Sequence, residues 1–295
     1  MTRRSRCATI VAAALTVLVL MAAVPATAWV DAGDNETQES ERQATVARLA
    51  PAKAHQVKIS IVGEPSIGAV LEPEPLLRWS NPTAGSVYGE VFLWSHEGRP
   101  VAIASIYRWY HPYHDATLEI VSVSNSRVRA EEGTELLWEP QSRGVSFGLF
   151  PDAPEPAKSS AARLVQMRKL ARRFSAELAD ERSGEQVTRQ LRLLDQPIHR
   201  FASEPVGVVD GGLFALVEVT DPELWILIEA ADDGEEVLWR YALARMNSNG
   251  IDAALDGKLV QSWPKVQKPW KDRKSTYTLF SFHPDSVKVD APAKP

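Results

Sequence analysis

Apolar residues follow a helical period in one long segment of the chain, residues 159–181. They recur three or four positions apart, with one adjacent pair: Leu164, Met167, Leu170, Ala171, Phe174 and Leu178. On a helix of about 3.6 residues per turn, these spacings fall on one face. Ser159 or Ser160 can cap the start of the helix, and Ser183-Gly184 provides a left-handed stop. The pattern predicts one amphipathic helix across 159–181 that packs on an apolar surface.

Before this helix, runs rich in β-branched and aromatic residues predict a first block of strands. The clearest are 86–95 and 100–110, which are joined by a short turn containing Gly98 and together predict a β-hairpin. Further strands of this block are predicted at 56–62, 117–124, 135–138 and 145–150. A meander is the economical topology for them.

After the helix, a second block of strands is predicted at 187–194, 212–220, 224–230, 237–246, 255–263 and 276–282. Leu213–Val217 and Leu224–Ile228 are apolar on both faces, which is typical of central strands that are covered on both sides. The helix at 159–181 is the predicted cover for one side. No repeat at a fixed period is visible, and the two blocks are either halves of one sheet or two packed sheets.

These elements predict an α+β fold, mainly antiparallel β-sheet in two strand blocks with the long helix between them. The predicted organisation is a signal peptide (1–28), a mobile polar leader (29–55), a single domain (56–283) and a loose tail (284–295). Within the leader, a short helix is predicted from about Thr37 to Leu49.

The N-terminus has the pattern of an export signal. Three arginines before residue 8 precede an apolar run from Ala8 to Val24, and Ala26-Thr27-Ala28 supplies the small residues that a signal peptidase requires. Cleavage is predicted after Ala28, which delivers the protein to the periplasm or the exterior. The single cysteine, Cys7, lies within the signal, so thiol chemistry and cysteine-ligated metals are excluded for the predicted mature chain.

Charge narrows the class of partner. The formal charge is −5 for the whole chain, and removal of the three signal-peptide arginines makes it −8. An acidic chain lacks the basic footprint that nucleic-acid binding needs. The expected partner is therefore an unidentified protein or a small-molecule ligand, with no nucleic acid, no cofactor and no membrane association after signal cleavage.

The most concentrated polar and aromatic cluster lies at residues 109–115. His111, His114 and Asp115 are candidate metal ligands, because two imidazoles three positions apart beside a carboxylate supply part of a metal site. Trp109, Tyr110 and Tyr113 are the candidate binding surface around them. The alternative interpretation is an ordinary exposed connection between two strands.

A second candidate is Ser146, which stands in a G-x-S-x-G pattern at Gly144–Gly148. In α/β-hydrolases this pattern places a serine on a tight turn from strand to helix. Here three prolines (Pro151, Pro154 and Pro156) follow instead of a helix. A strand with glycines at points of close chain approach is the favoured interpretation.

Charged residues provide further candidates. The basic residues Arg168, Arg172 and Arg173 are either a solvated helix face or a site for an anionic partner. Four carboxylates in strand patterns are candidates for an acid–base pair, and five strand arginines favour a polar sheet face over an anion site. These residues are Glu90, Glu119, Glu218 and Glu229, and Arg78, Arg108, Arg192, Arg240 and Arg245.

Short motifs across most of the predicted mature chain carry a resemblance: Trp79–Pro82, Tyr88–Trp94, Gly98–Pro100, Gln166–Arg168 and Ala171–Phe174. On these motifs the chain resembles a class of uncharacterised secreted bacterial proteins, a resemblance that implies no activity. The expected function is that of a non-enzymatic exported domain that binds a ligand or partner. The alternative is a hydrolase or metal-dependent enzyme centred on His111, His114 and Asp115.

Overall fold

A computed structural model describes the backbone of residues 31–181 and 187–288, with side chains described from residue 36 onward. The predicted signal peptide, the predicted helix stop at Ser183-Gly184 and the end of the predicted tail lie outside the described residues. Residues from Glu41 onward form one compact unit. The unit that ends at Ser40 is described only as the beginning of the first helix.

Strands dominate the described chain. The helices are α1 (Asp31–Gln56) and α2 (Ser160–Ala171). The strands before α2 are β1 (Val57–Ile61), β2 (Ile67–Gly68), β3 (Val70–Leu71), β4 (Leu77–Ser80), β5 (Ser86–His96), β6 (Arg99–His111), β7 (Ala116–Ser122), β8 (Val128–Glu132), β9 (Glu135–Trp138) and β10 (Gly148–Leu149). Those after it are β11 (Phe174–Asp180), β12 (Val187–Gln190), β13 (Arg192–Leu193), β14 (His199–Ser203), β15 (Val208–Glu218), β16 (Asp221–Asp232), β17 (Val237–Arg245), β18 (Gly250–Leu255), β19 (Lys258–Trp263) and β20 (Tyr277–Phe282).

The strands form four antiparallel sheets. Sheet 1 has the order β2-β1-β8-β9, and sheet 2 has the order β20-β7-β6-β5-β3 with β4 also paired to β5. Sheet 3 has the order β10-β17-β16-β15-β13 with β14 also paired to β15, and sheet 4 has the order β12-β11-β18-β19. The prediction of an α+β fold rich in antiparallel sheet is confirmed, but the prediction of two strand blocks is wrong, because each block divides between a large and a small sheet.

The connectivity from α1 through β9 is repeated from α2 through β19. In both stretches a helix leads into the central strand of a small sheet, and a long hairpin then builds a large sheet. The register agrees as well, since Trp79 lies opposite Gly89 where Phe201 lies opposite Gly211. We call these stretches the first repeat and the second repeat.

The two repeats exchange their terminal strands. β10 follows the first repeat along the chain but pairs with β17 of the second, whereas β20 follows the second repeat and pairs with β7 of the first. Each large sheet is therefore completed by a strand that follows the other repeat. This exchange links the two repeats through backbone hydrogen bonds.

Sheets 2 and 3 pack face to face over an apolar inner core that includes Leu93, Ile103, Trp225 and Leu227. Their outer faces are covered in matching ways. On sheet 2 the cover is α1 with sheet 1, and on sheet 3 it is α2 with sheet 4. The apolar runs in β15 and β16 are thus covered on both sides, as predicted, and one cover is α2.

The predicted helix across 159–181 is wrong beyond Ala171, because Phe174–Asp180 forms β11 between β12 and β18. Phe174, Ala176 and Leu178 are buried at a strand period of two. The spacing of four from Phe174 to Leu178 fits either a helix or a strand, and pairing with β18 decides for the strand.

The predicted polar leader also differs in the structure, since residues 31–56 form α1, which is longer than the short helix predicted near 37–49. Val46, Ala50 and Ala54 of α1 are buried against sheets 1 and 2. No helix within the described ranges is both long and apolar enough to cross a membrane.

Candidate ligand-binding site

A cavity of about 280 Å³ lies where α1 crosses the outer face of sheet 2. Side chains alternate along β5, so Tyr88 and Glu90 face α1 while Val87 and Val91 face the inner core. The cavity is lined from α1, β4, β5 and the turn after β15 by Gln43, Val46, Arg78, Trp79, Ser80, Tyr88, Gly89, Glu90 and Thr220. Its wall therefore combines residues from both repeats.

Glu90 is the central charged group of this cavity. Its side chain is 2% exposed, and its Oε1 accepts a hydrogen bond of 2.7 Å from Nε of Arg78, whose side chain is 69% exposed at the rim. Its Oε2 is buried and has no hydrogen-bond partner. Burial raises the pKa of Glu90, although the hydrogen bond and positive charge of Arg78 act to lower it. One carboxylate oxygen thus has a hydrogen-bond partner and the other has none, and burial makes the charged form unfavourable.

The wall beside Glu90 is held rigidly. The Trp79 ring packs directly over Gly89, where any side chain would overlap it, and its Nε1 donates to Ser105 Oγ at 2.9 Å. Thr220 Oγ1 donates to the carbonyl of Ser80 at 2.8 Å and accepts from its amide at 3.0 Å. These contacts fix β4 against the turn of the second repeat, so the cavity is preformed.

The corresponding place in the second repeat is filled by an ion cluster. Asp210, which occupies the position of Tyr88, accepts hydrogen bonds from Arg163 at 2.8 Å and from Arg200 at 2.6 Å and 3.0 Å. Arg200 corresponds to Arg78, and Gly212 corresponds to Glu90. Met167 lies over Gly212, with its sulfur 3.3 Å from where a Cβ would stand.

The side chains of the two helices explain why the first repeat has a cavity where the second repeat is filled. Counted back from the first residues of β1 and β11, Val46 of α1 corresponds to Arg163 of α2, and Ala50 corresponds to Met167. The first repeat thus has smaller side chains at both positions. These smaller side chains leave the cavity open between α1, β4 and β5.

The histidine cluster lies elsewhere on the surface. His111, His114 and Asp115 are exposed at the end of β6 and in the following loop. In the part of the chain whose side chains are described, no three His, Cys, Asp or Glu side chains are grouped so as to hold a metal ion. Trp109 and Tyr113 pack edge to face at 5.2 Å, and Tyr113 is 59% exposed.

Two of the three predicted basic residues near α2, Arg172 and Arg173, are paired with acids. Arg172 lies just after the helix and forms two hydrogen bonds of 3.1 Å to Asp195, whose backbone carbonyl also accepts from Arg168. Arg173 binds Asp256 through Nε and a terminal nitrogen. Arg172 and Arg173 are thus compensated by carboxylates, whereas Arg168 contacts a backbone carbonyl.

Ser146 is exposed on the segment that leads into β10 and lines a groove of about 500 Å³. The next helix begins at Ser160, so no strand-to-helix turn of the hydrolase kind is formed. Gly144 lies against the backbone of Ser122, where a side chain would overlap it. Close chain approach explains this glycine, as the sequence indicated.

Two of the strand carboxylates are buried between the large sheets. Glu229 accepts hydrogen bonds from Nε of Arg99 at 2.8 Å and from Nε of Arg240 at 2.9 Å, so its charge is compensated. Glu119 accepts a hydrogen bond from the Tyr277 hydroxyl, and burial raises the pKa of Glu119 to about 8. Neither lines the cavity that holds Glu90.

Sequence reasoning placed Glu90 and Arg78 in strands but did not bring them together with Val46, Tyr88 and Thr220. The available signal was an arginine and a glutamate in strand-like sequence, which is too common a pattern to single out. Comparison of the chain with protein-family models, curated proteins and solved structures finds no match.

Proposed function

We propose that the protein is an exported binding protein whose cavity between α1 and sheet 2 takes a small ligand carrying an ammonium group. The observation that supports this proposal is the buried Oε2 of Glu90, which has no hydrogen-bond partner. A buried charged acceptor without a partner costs free energy, and a ligand that donates to it recovers that cost. An ammonium group supplies both the donor and the opposite charge.

The remaining wall suits such a ligand. Tyr88 offers aromatic surface, which attracts cations, and a volume of about 280 Å³ limits the ligand to a small molecule. Among the described residues that line the cavity, Glu90 is the only carboxylate, so the lining does not provide a carboxylate pair for acid–base catalysis. Binding without catalysis is the function that this lining supports.

The proposal is tested by calorimetric titration with butylamine, butan-1-ol and butanoate, which share size but differ in charge. We expect saturable binding of butylamine alone. In Glu90→Gln its affinity should fall about 10- to 100-fold, because a hydrogen bond to a charged group contributes roughly 1.5–3 kcal/mol. Glu135→Gln, at an exposed position of β9, is the matched control and should bind as the wild type does. Equal affinity of wild type and Glu90→Gln would overturn the proposal.

A further inference from the structure

The two exchanged strands differ in how much of their neighbour they cover. β20 pairs with β7 along its whole length, from Tyr277 to Phe282. β10 pairs with β17 only at Tyr241 and Arg240. Among the described residues, no strand pairs with the outer edge of β17 beyond Tyr241. The edge of sheet 3 is thus partly open where the edge of sheet 2 is closed.

Alternate residues of β17 direct their backbone groups toward this outer edge. The Trp239 carbonyl accepts from the Phe150 amide at 3.2 Å, and Tyr241 lies opposite Gly148 of β10. Leu243 is the next residue in this alternation, because in an antiparallel pair every second residue bonds to the same neighbour. Its N–H and C=O therefore point away from β16, and no described strand lies opposite them.

The first repeat shows what closes such an edge. Glu119 of β7 corresponds to Ala242 of β17, so Ile120 corresponds to Leu243. Ile120 lies opposite Thr278 of β20, which continues sheet 2 at this point. An extended backbone segment is therefore the structure that this fold places against the same edge.

The segment before β10 does not take this place, because it is held on the first repeat. The amides of Gly144 and Val145 donate to the Ser124 carbonyl at 2.9 Å and 3.1 Å, and the Val145 side chain is buried in the inner core. A groove of about 500 Å³ is left between this segment, the edge of β17 and β19. The open edge at Leu243 lines this groove.

The walls of the groove suit an extended peptide with apolar side chains. Phe147 and Trp263 are half-buried, Val260 is 38% exposed, and Arg143 is the only charged side chain among the described lining residues. Leu243 and Trp263 pack against the same apolar cluster, so side chains of an added strand that lie beside Leu243 face Trp263. The β17 edge of a second copy fits less well, because it is flanked by the walls of an identical groove.

We infer that the edge of β17 at Leu243 binds an extended peptide segment of a partner protein, which adds a strand to sheet 3 as β20 does to sheet 2. The peptide backbone pairs with Leu243, and an apolar side chain contacts Trp263. In strand addition of this kind, main-chain hydrogen bonds give affinity and pockets for alternate side chains give specificity. The inference is independent of the ammonium site, since no described residue lines both the groove and the cavity that holds Glu90.

The test is fluorescence anisotropy of a labelled synthetic peptide with the sequence of residues 275–281, because β20 already pairs with the corresponding edge. We expect saturable binding that Leu243→Pro weakens at least tenfold, since proline removes the outward N–H. An edge strand tolerates proline where its N–H faces outward, so the variant should keep the fold by circular dichroism. Trp263→Ala should also weaken binding, whereas Trp270→Ala, which is 51% exposed and outside the groove, should not.

Backbone methylation of the peptide distinguishes strand addition from other binding modes. Methyl groups on the alternate amides that face β17 should abolish binding, whereas methyl groups on the other amides should preserve it. Failure of the parent peptide to bind, or equal loss with both methylated peptides, would overturn the inference. Undiminished binding to Leu243→Pro would instead place the peptide at β7 in exchange for β20, and self-association that this variant abolishes would make a second copy the occupant. If Leu243→Pro does not fold, the methylated peptides decide alone.

Discussion

The two repeats place different chemistry on the same backbone. In the second repeat, Asp210 joins Arg163 and Arg200 in a compensated cluster, and Met167 fills the space above Gly212. This is a structural arrangement, since the buried atoms of its ion pairs have partners. The outer face of sheet 3 is closed at this point.

In the first repeat the same place is open. Val46 and Ala50 are too small to fill it, Glu90 keeps one oxygen unpartnered, and Tyr88 stands where the second repeat has its acid. Satisfied polar groups stabilise a fold, while unsatisfied ones in a preformed cavity are typical of sites that bind something. The comparison therefore distinguishes a structural repeat from a repeat with a site.

The largest expected effect is the loss of stability on removing the charge of Asp210 in the second repeat, compared with that of Glu90 in the first. Asp210→Asn should lower the free energy of unfolding by about 3–5 kcal/mol, because two partly buried arginines lose their counter-charge. Glu90→Gln should cost about 1 kcal/mol or less, because its carboxylate is already half unsatisfied. Urea unfolding of both variants measures the difference, and equal losses would contradict the comparison.

A second difference between the repeats predicts the pH dependence of stability. Glu119 is buried in the inner core, and Ala242 stands at its counterpart in β17. Its pKa is about 8 in the folded protein, whereas the ordinary value is 4.5. The folded state therefore binds this proton more tightly than the unfolded state does. As a result, the free energy of unfolding is highest at low pH and falls as pH rises from 4.5 to about 8.

The size of this effect follows from the pKa difference. Between pH 6 and pH 9, wild type should lose roughly 2–3 kcal/mol more than Glu119→Gln, which cannot ionise. Urea midpoints at pH 6, 7, 8 and 9 measure this loss, with Glu135→Gln as the exposed control. Parallel pH profiles for wild type and Glu119→Gln would show that Glu119 does not titrate in this range.

The filled arrangement of the second repeat can be rebuilt in the first. The double variant Val46→Arg/Tyr88→Asp supplies the two groups that join Arg200 in the second repeat, while Arg78 is already present. Butylamine affinity should fall at least tenfold because the cavity is filled. Circular dichroism should show that the fold is retained. Val46→Leu adds less volume and no charge and should weaken binding less. Undiminished affinity in the double variant would place the ligand elsewhere.

The smallest effect concerns the hairpin turns that correspond in the two repeats. Glu97 and Val219 both have a positive φ, of 49° and 56°. A β-branched residue is especially strained in this region, so Val219→Gly should raise the free energy of unfolding by about 0.5–1 kcal/mol. Glu97→Gly should change it less, and urea unfolding of both variants ranks them. A loss of stability in Val219→Gly would contradict the assigned turn.

Local pattern predicted several elements well. The alternation at 86–95 and 100–110 predicted the β5–β6 hairpin, and the two-sided apolar runs predicted that β15 and β16 are central. It failed where one spacing fits two structures, as at Phe174–Leu178, where pairing with β18 decides. The candidate site was missed because Glu90 and Val46 are distant in sequence and meet only when α1 packs on sheet 2.

The repeat was also hidden in the sequence. A few residues do correspond, such as Arg78 with Arg200 and Gly89 with Gly211, but most positions differ because each repeat packs different side chains around the same backbone. Hydrogen-bond register preserves a backbone topology while side chains diverge. The duplication is therefore visible in strand order and not in a sequence period.

By itself, the sequence determined the long strands of the two large sheets, where their main hairpins turn and which strands are buried on both faces, since periodicity and turn chemistry act over a few residues. Only the tertiary structure decided that the chain is a duplication, that β10 and β20 are exchanged, and that Glu90 faces an open cavity while Asp210 does not. The reason is that exchange and cavity depend on the relative placement of distant segments, and on differences in side-chain size that matter only after packing.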